Sequence, residues 1–273
     1  MAGKLLAALL VGVILFAFLS SSSQTLKADS NSVAGNQTAN PLPTDKIIIA
    51  NFLNLSQIAA ITPFRSCAGH DFFSVDYNGS SEPLSSMKMY AWANASFDNT
   101  NDKVQVFAPF NGTVTYIDPI DTSRGMHYVI RHEPFDGWYI TFFHQNFNDS
   151  KIYVGAHVTA GELLSYAVIP SAGYNFDINL QRFSNESAQY NGVANGYNSQ
   201  IVLLQNQEPL LPHMTDSVLA QWEAHGITVN NSIISKSYRE ANPCTCIGEA
   251  PGTALCIFDY RYNPDQEVLL SHG

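Results

Sequence analysis

A mainly β, antiparallel fold is what this 273-residue chain predicts, and three observations predict it. From about residue 46 to 183 apolar and polar residues alternate in short runs: "KVQVFAP", "GTVTYI", "HYVIRHE", "WYITFFH", "HVTAGELLSYAVI" and "YNFDINL". A period of two puts successive side chains on opposite faces of a strand. The runs are rich in Val, Ile, Thr, Tyr and Phe, whose branched and aromatic side chains suit a pleated surface. Turn formers punctuate them: Phe110-Asn111-Gly112 predicts one hairpin, and Asp136-Gly137 predicts another between HYVIRHE and WYITFFH.

The segments on either side read differently. Residues 1–23 hold Lys4 and then an apolar run from Leu5 to Leu19, followed by serines. That is the pattern of an export signal, a little short of the roughly 20 residues of a membrane span. An uncleaved anchor through residues 5–19 is the alternative, since no clear small-x-small cleavage site follows. Residues 24–45 read as a flexible linker of Ser, Asn, Thr and Pro. Residues 184–273 form a C-terminal extension that opens with a Gly/Asn/Ser loop. In it, "TDSVLAQWEAHG" predicts a short helix with Thr215 as N-cap, Val218, Leu219 and Trp222 on one face, and Gly226 at its end. "CTCIGEAPGTALCIFDYRY" predicts a disulfide-clamped hairpin that docks back on the β-domain.

Chemistry narrows the compartment and the partners. Four cysteines, Cys67, Cys244, Cys246 and Cys256, suit two disulfides. A bond between Cys244 and Cys246 would be strained, so Cys67 is expected to pair with one of them and Cys256 with the other. Asn-x-Ser/Thr sequons at Asn36, Asn54, Asn78, Asn94, Asn111, Asn148, Asn185 and Asn230 agree with a secreted glycoprotein. The net charge is −10 and no basic run follows residue 23, which argues against nucleic acid and anionic lipid as partners.

Four blocks of the β-region, in order, carry a family resemblance. They are "VFAPFNGTVTYI", "MHYVIRHEPFDGWYITFFHQN", "VGAHVTAGELLSYA" and "AGYNFDINL". Together, over roughly residues 64–183, they resemble the lysostaphin-like (M23) metallopeptidase domain, the duplicated hybrid motif fold. Biotinyl and lipoyl carrier domains share some of these signals but need a lysine at a hairpin tip between them. Here the Met87-Lys88-Met89 stretch precedes the first signal, so the carrier reading is poor.

The resemblance implies a zinc ion held by His, Asp and His that activates a water, with two further histidines at the reacting centre. This chain departs from that pattern. At the family's H-x-G-x-D stands "CAGHD": Gly69 and Asp71 match, Cys67 holds the first ligand position, and His70 falls at an intervening position that should point away. At its H-x-H stand Asn175 and Asp177, the first at a catalytic and the second at a ligand position. His144 keeps the other catalytic position. The metal candidates are therefore Asp71 and Asp177 with Cys67 or His70 as a third ligand, and the vestigial catalytic positions are His144 and Asn175. Two carboxylates alone suit calcium better than zinc. A local bulge could swing His70 inward to rebuild a cluster with Asp71, Asp177 and His144.

His127, His132 and His157 read as ordinary polar-face histidines. Tyr90, Trp92, Tyr116, Trp138 and Tyr139 suit either the core or a groove for peptide or glycan. The functional expectation is an exported, extracellular or cell-surface glycoprotein with a peptidase-like domain whose altered centre does not hydrolyse by the zinc mechanism. It would bind peptide, glycan, or a protein or cell-envelope partner. The alternative is a zinc-dependent metallopeptidase with an atypical site, acting on cell-wall or surface peptides.

Overall fold

The computed structural model describes residues 45–71, 81–118, 123–183, 207–249, 256–258 and 268–272. The export signal, the linker up to residue 44 and the sequons at Asn36, Asn78 and Asn185 lie outside them. The described residues belong to one unit, Pro43–Gly273.

The alternating runs become strands where they were expected. After β1 (Ile58–Ile61) and β2 (Met89–Ala93) come β3 (Thr100–Phe107), β4 (Gly112–Asp118), β5 (Met126–His132), β6 (Trp138–Asn146), β7 (His157–Val158), β8 (Leu163–Ile169) and β9 (Asn175–Arg182). The extension adds β10 (Gln207–Glu208), helix α1 (Asp216–Ala224), helix α2 (Lys236–Ala241), β11 (Gly248–Glu249), β12 (Cys256–Ile257) and β13 (Val268–Leu269). One antiparallel sheet runs in the order β13, β1, β2, β9, β6, β5, β4, β7, with β10 on β9 and with β8 joining β3 to β6. The mainly β reading holds.

Alternation along β9 divides the sheet into two faces. Phe176, Ile178 and Leu180 enter the core, while Asn175, Asp177, Asn179 and Gln181 point to the opposite side. On the core side α1 caps the sheet as its pattern predicted: Val218 and Trp222 are buried, and Trp222 packs 5.4 Å from Phe52, which lies 6.5 Å from Phe142. Gly226 takes φ +81, the left-handed end that glycine allows.

Asp136-Gly137 closes the β5–β6 hairpin, with Gly137 at φ +98 and Arg131 opposite Tyr139. Phe110-Asn111-Gly112 does not close one, because β3 pairs with β8 whereas β4 pairs with β5 and β7. Its glycine serves a close approach instead: a Cβ on Gly112 would sit 2.4 Å from the Arg131 carbonyl oxygen.

Both disulfides form within the expected alternatives. Cys67 joins Cys244 across 177 residues, and Cys246 joins Cys256 across the β11–β12 hairpin. The hairpin docks on the segment after Cys67: Phe258 N–H donates to the Gly69 carbonyl at 3.0 Å, and Asp71 N–H donates to the Cys256 carbonyl at 2.8 Å. Buried Phe258 packs there with Cys67 and Leu84. The extension thereby places His70.

Candidate functional site

Asp177 lies at the centre of the polar face, with its side chain 2% exposed. It is paired across β2 with Tyr90, and Lys88 sits on the same side just before that strand. The Lys88 ammonium, 3% exposed, makes an ion pair and hydrogen bond with Asp177 Oδ2. It is enclosed by aromatic faces, 4.5 Å from the Phe143 ring centre and 5.2 Å from that of Tyr90.

The ammonium also reaches His70 Nε2 at 3.3 Å. His70 Nδ1 lies 2.8 Å from the Asp71 carbonyl, which can only accept, so Nδ1 carries the proton and Nε2 offers its lone pair to Lys88. Burial and the neighbouring ammonium push His70 down to about 4, in keeping with that neutral ring. The local bulge of the expected rearrangement is unnecessary. The chain turns at Gly69, φ +71, against Tyr90, and the docked hairpin holds His70 inward.

His144 arrives by a different device. It stands at φ +60 inside β6, where the β5–β6 register shifts between Met126 and Tyr128. This irregularity breaks the alternation, so that consecutive residues Phe143 and His144 both face Lys88 and Asp177. His144 Nδ1 is 3.2 Å from the Arg124 carbonyl and must donate to it. Its Nε2 therefore presents a lone pair 3.3 Å from Asp177 Oδ1, and that oxygen remains a buried acceptor without a hydrogen bond. Burial lowers the His144 pKa although the Asp177 charge opposes the shift. For Asp177, burial alone would raise the pKa, but the Lys88 ammonium outweighs it and holds the carboxyl below its ordinary value.

His127, read as an ordinary polar-face histidine, stands on that face beside the group. Its ring is 5.3 Å from that of His144 and 4.6 Å from Phe143, its Nδ1 is buried without a partner, and burial pushes it down to about 3. The remaining candidates divide. Cys67 cannot be a ligand, because its sulfur is consumed by the bond to Cys244. Asp71 has a buried, unpartnered Oδ1 and a pKa raised by burial, but among the described residues no ion pair or hydrogen bond joins it to Asp177. Asn175 shares the Asp177 face, opposite Trp92 in the β2–β9 ladder. Farther along that face Thr141 Oγ1 and both ends of the Asn179 carboxamide are buried without partners.

The residues that pattern reading missed are Lys88 and His127. The available signal for Lys88 was a lone lysine between Met87 and Met89, followed two residues later by an aromatic, which is unusual at a buried strand entry.

Two imidazoles and a carboxylate are donors that zinc accepts. They do not fit it with Lys88 in place. An ion bound to Asp177 and His70 would stand on the ammonium. Moved 4 Å away, it would still be repelled by about 8 kcal/mol at an effective dielectric constant of 20. Among the described residues no three His, Cys, Asp or Glu side chains are grouped as a metal site requires.

No family model and no curated protein matches this chain. Among solved structures it is similar to lysostaphin in solution, with a TM-score of 0.27 and 16% identity over 44% of this chain and 49% of that one. It is also similar to a zinc-containing peptidase from Vibrio cholerae, at 0.29 and 11% over 50% of this chain and 36% of that one. The catalytic domain of the antimicrobial peptidase lysostaphin from Staphylococcus simulans scores 0.28 at 13%, over 46% of this chain and 85% of that one. The chain thus spans about half the length of the lysostaphin structure first named. Likeness of this size assigns neither a family nor an activity.

Proposed function

We propose that this chain is an exported glycoprotein whose peptidase-like β-domain binds a peptide, glycan or cell-envelope partner without hydrolysing it. One observation carries the reading: the single carboxylate at the centre of the histidine cluster, Asp177, is bound by the protein's own ammonium. A hydrolytic metal centre needs an open coordination position for water beside its ligands, and the ammonium occupies that place. Burial lowers the pKa of all three histidines and so disfavours positive charge on their rings, which leaves the Lys88 ammonium as the cation against Asp177.

Export is supported by the N-terminal pattern and the two disulfides, and glycosylation by sequons whose asparagines are exposed, Asn111, Asn148 and Asn230. Asn54 and Asn94 are less open, since their side-chain amides donate to Gln105 and to the Ser56 carbonyl.

The test uses the full chain secreted from a eukaryotic host and purified without chelator. Elemental analysis, a digest assay on cell-wall and synthetic peptides, and a binding screen of the same peptides and of glycans are run together. Binding without cleavage, weakened by His144→Ala, is the expected result. Cleavage that a chelator abolishes would overturn the reading in favour of a zinc peptidase with an atypical site. Failure of every peptide and glycan to bind would leave the domain a structural envelope component.

A further inference from the structure

We infer that the Cys246–Cys256 disulfide is a redox latch on His70: a dithiol that opens this one bond releases the β11–β12 hairpin and withdraws His70 from Lys88. This adds regulation to the binding face proposed above and rests on that reading. The two edges of β12 carry the inference. One edge pairs with β11, Gly248 opposite Ile257 and Glu249 opposite Cys256. The other holds the chain after Cys67: His70 bridges to Ile257, Phe258 N–H donates to the Gly69 carbonyl at 3.0 Å, and Asp71 N–H donates to the Cys256 carbonyl at 2.8 Å. Fixed there, His70 turns its Nε2 to the Lys88 ammonium at 3.3 Å. β12 thus stands between its hairpin partner and the segment that carries His70.

The hairpin depends on its cross-link. β11 and β12 are two residues long each and form a two-stranded sheet apart from the main one. Such a hairpin alone is marginal in water. A bond between residues 10 apart favours the closed form by about 100-fold on the chain-entropy account. The two disulfides also differ in access. Cys246 is exposed, whereas Cys244 is buried and Cys67 half-buried, packed with Phe258 and Leu84. A thiolate therefore reaches Cys246 Sγ first. As it bonds there the S–S bond breaks, and Cys256 leaves as a thiolate that takes up a proton. The second thiol of the reductant then displaces Cys246, which is protonated in turn. The chain gains two electrons and two protons, and the dithiol ends as its own disulfide. Cys67–Cys244 stays closed and keeps the segment before His70 tied to the extension, so the change is confined to the hairpin and what it holds.

The test follows thiols and one imidazole. Full-length wild type is treated under native conditions with graded dithiothreitol, alkylated, and mapped by mass spectrometry. The same samples are footprinted with diethyl pyrocarbonate, which acylates an imidazole lone pair, with exposed His157 as the internal reference. Cys246 and Cys256 are expected to be alkylated while Cys67–Cys244 remains joined. In that form acylation of His70 should rise at least about 10-fold, with His157 and the far-ultraviolet circular dichroism unchanged. Reoxidation before alkylation should restore the protection. Cys246→Ser/Cys256→Ser should expose His70 without reductant, and the reduced wild type decides the matter if that variant does not fold. The latch is overturned if both bonds open together, if the chain unfolds when Cys246–Cys256 alone is opened, or if His70 stays protected in chain alkylated at those two cysteines only. Each of these leaves the non-hydrolytic reading standing, since that reading falls to cleavage that a chelator abolishes.

Discussion

Breaking the Lys88–Asp177 pair from one side should cost far more than removing it whole. The two side chains are 3% and 2% exposed, so either one left alone keeps a charge that water cannot reach. Deleting one partner of a buried pair typically costs about 3–5 kcal/mol, whereas replacing both with uncharged residues is often close to neutral. Lys88→Met and Asp177→Asn should each lose stability in that range. For a unit of this size that is roughly 6–20 °C in melting temperature, at about 2–4 °C per kcal/mol. The double variant should recover most of the loss, so that it costs far less than the sum of the two singles, about 6–10 kcal/mol, the shortfall being the coupling energy of a double-mutant cycle. Urea titration monitored by tryptophan fluorescence, with disulfides intact and a chelator present, measures it. Additive single losses, with no recovery in the double variant, would refute the placement of these charges against each other.

Three further outcomes follow from the geometry. Burial holds His70 down to about 4 and His127 down to about 3, and lowers His144, so the unfolded chain binds protons that the folded chain refuses once the pH drops below about 6.5. Their contribution is complete above that value and is lost on acidification, by about 2 kcal/mol each for His70 and His127 at pH 5. A melting temperature that stays flat from pH 7 to 5, or a slope unchanged by His127→Phe, contradicts the buried cluster. Removing the long-range disulfide with Cys67→Ser/Cys244→Ser should cost about 5 kcal/mol by chain entropy for a 177-residue separation, measured by denaturant unfolding against the non-reduced parent. Gly69→Ala should destabilise by a few kcal/mol, because φ +71 disfavours a side chain and the new Cβ would lie 2.3 Å from the Tyr90 ring; a thermal shift under about 2 °C would count against that contact.

Much of the architecture is local in origin and could be read from residue order. Period-two alternation marked β3 through β9, Thr215 and Gly226 bounded α1, and Asp136-Gly137 turned β5 into β6. The same alternation put Asn175 and Asp177 on one face, because side-chain direction in a strand depends only on parity. The hairpin predicted at Asn111-Gly112 failed for the complementary reason. A turn former bends the chain, but which strands then pair is settled by competition across the whole sheet, and β3 found β8.

The centre of the site belongs to that second class. Lys88 meets Asp177 across 89 residues because β2 pairs with β9, and nothing in either segment names its partner. His144 faces inward only because a left-handed residue shifts the β5–β6 register, and His127 only because that shifted strand lies beside it. His70 is turned by the hairpin between Cys246 and Cys256, more than 170 residues downstream. The sequence alone determined the strands, the helix, the cysteine alternatives and the absence of histidines at positions 175 and 177. Tertiary structure alone decided that a lysine would stand among the histidines, since burial and strand pairing place charges that residue order leaves free.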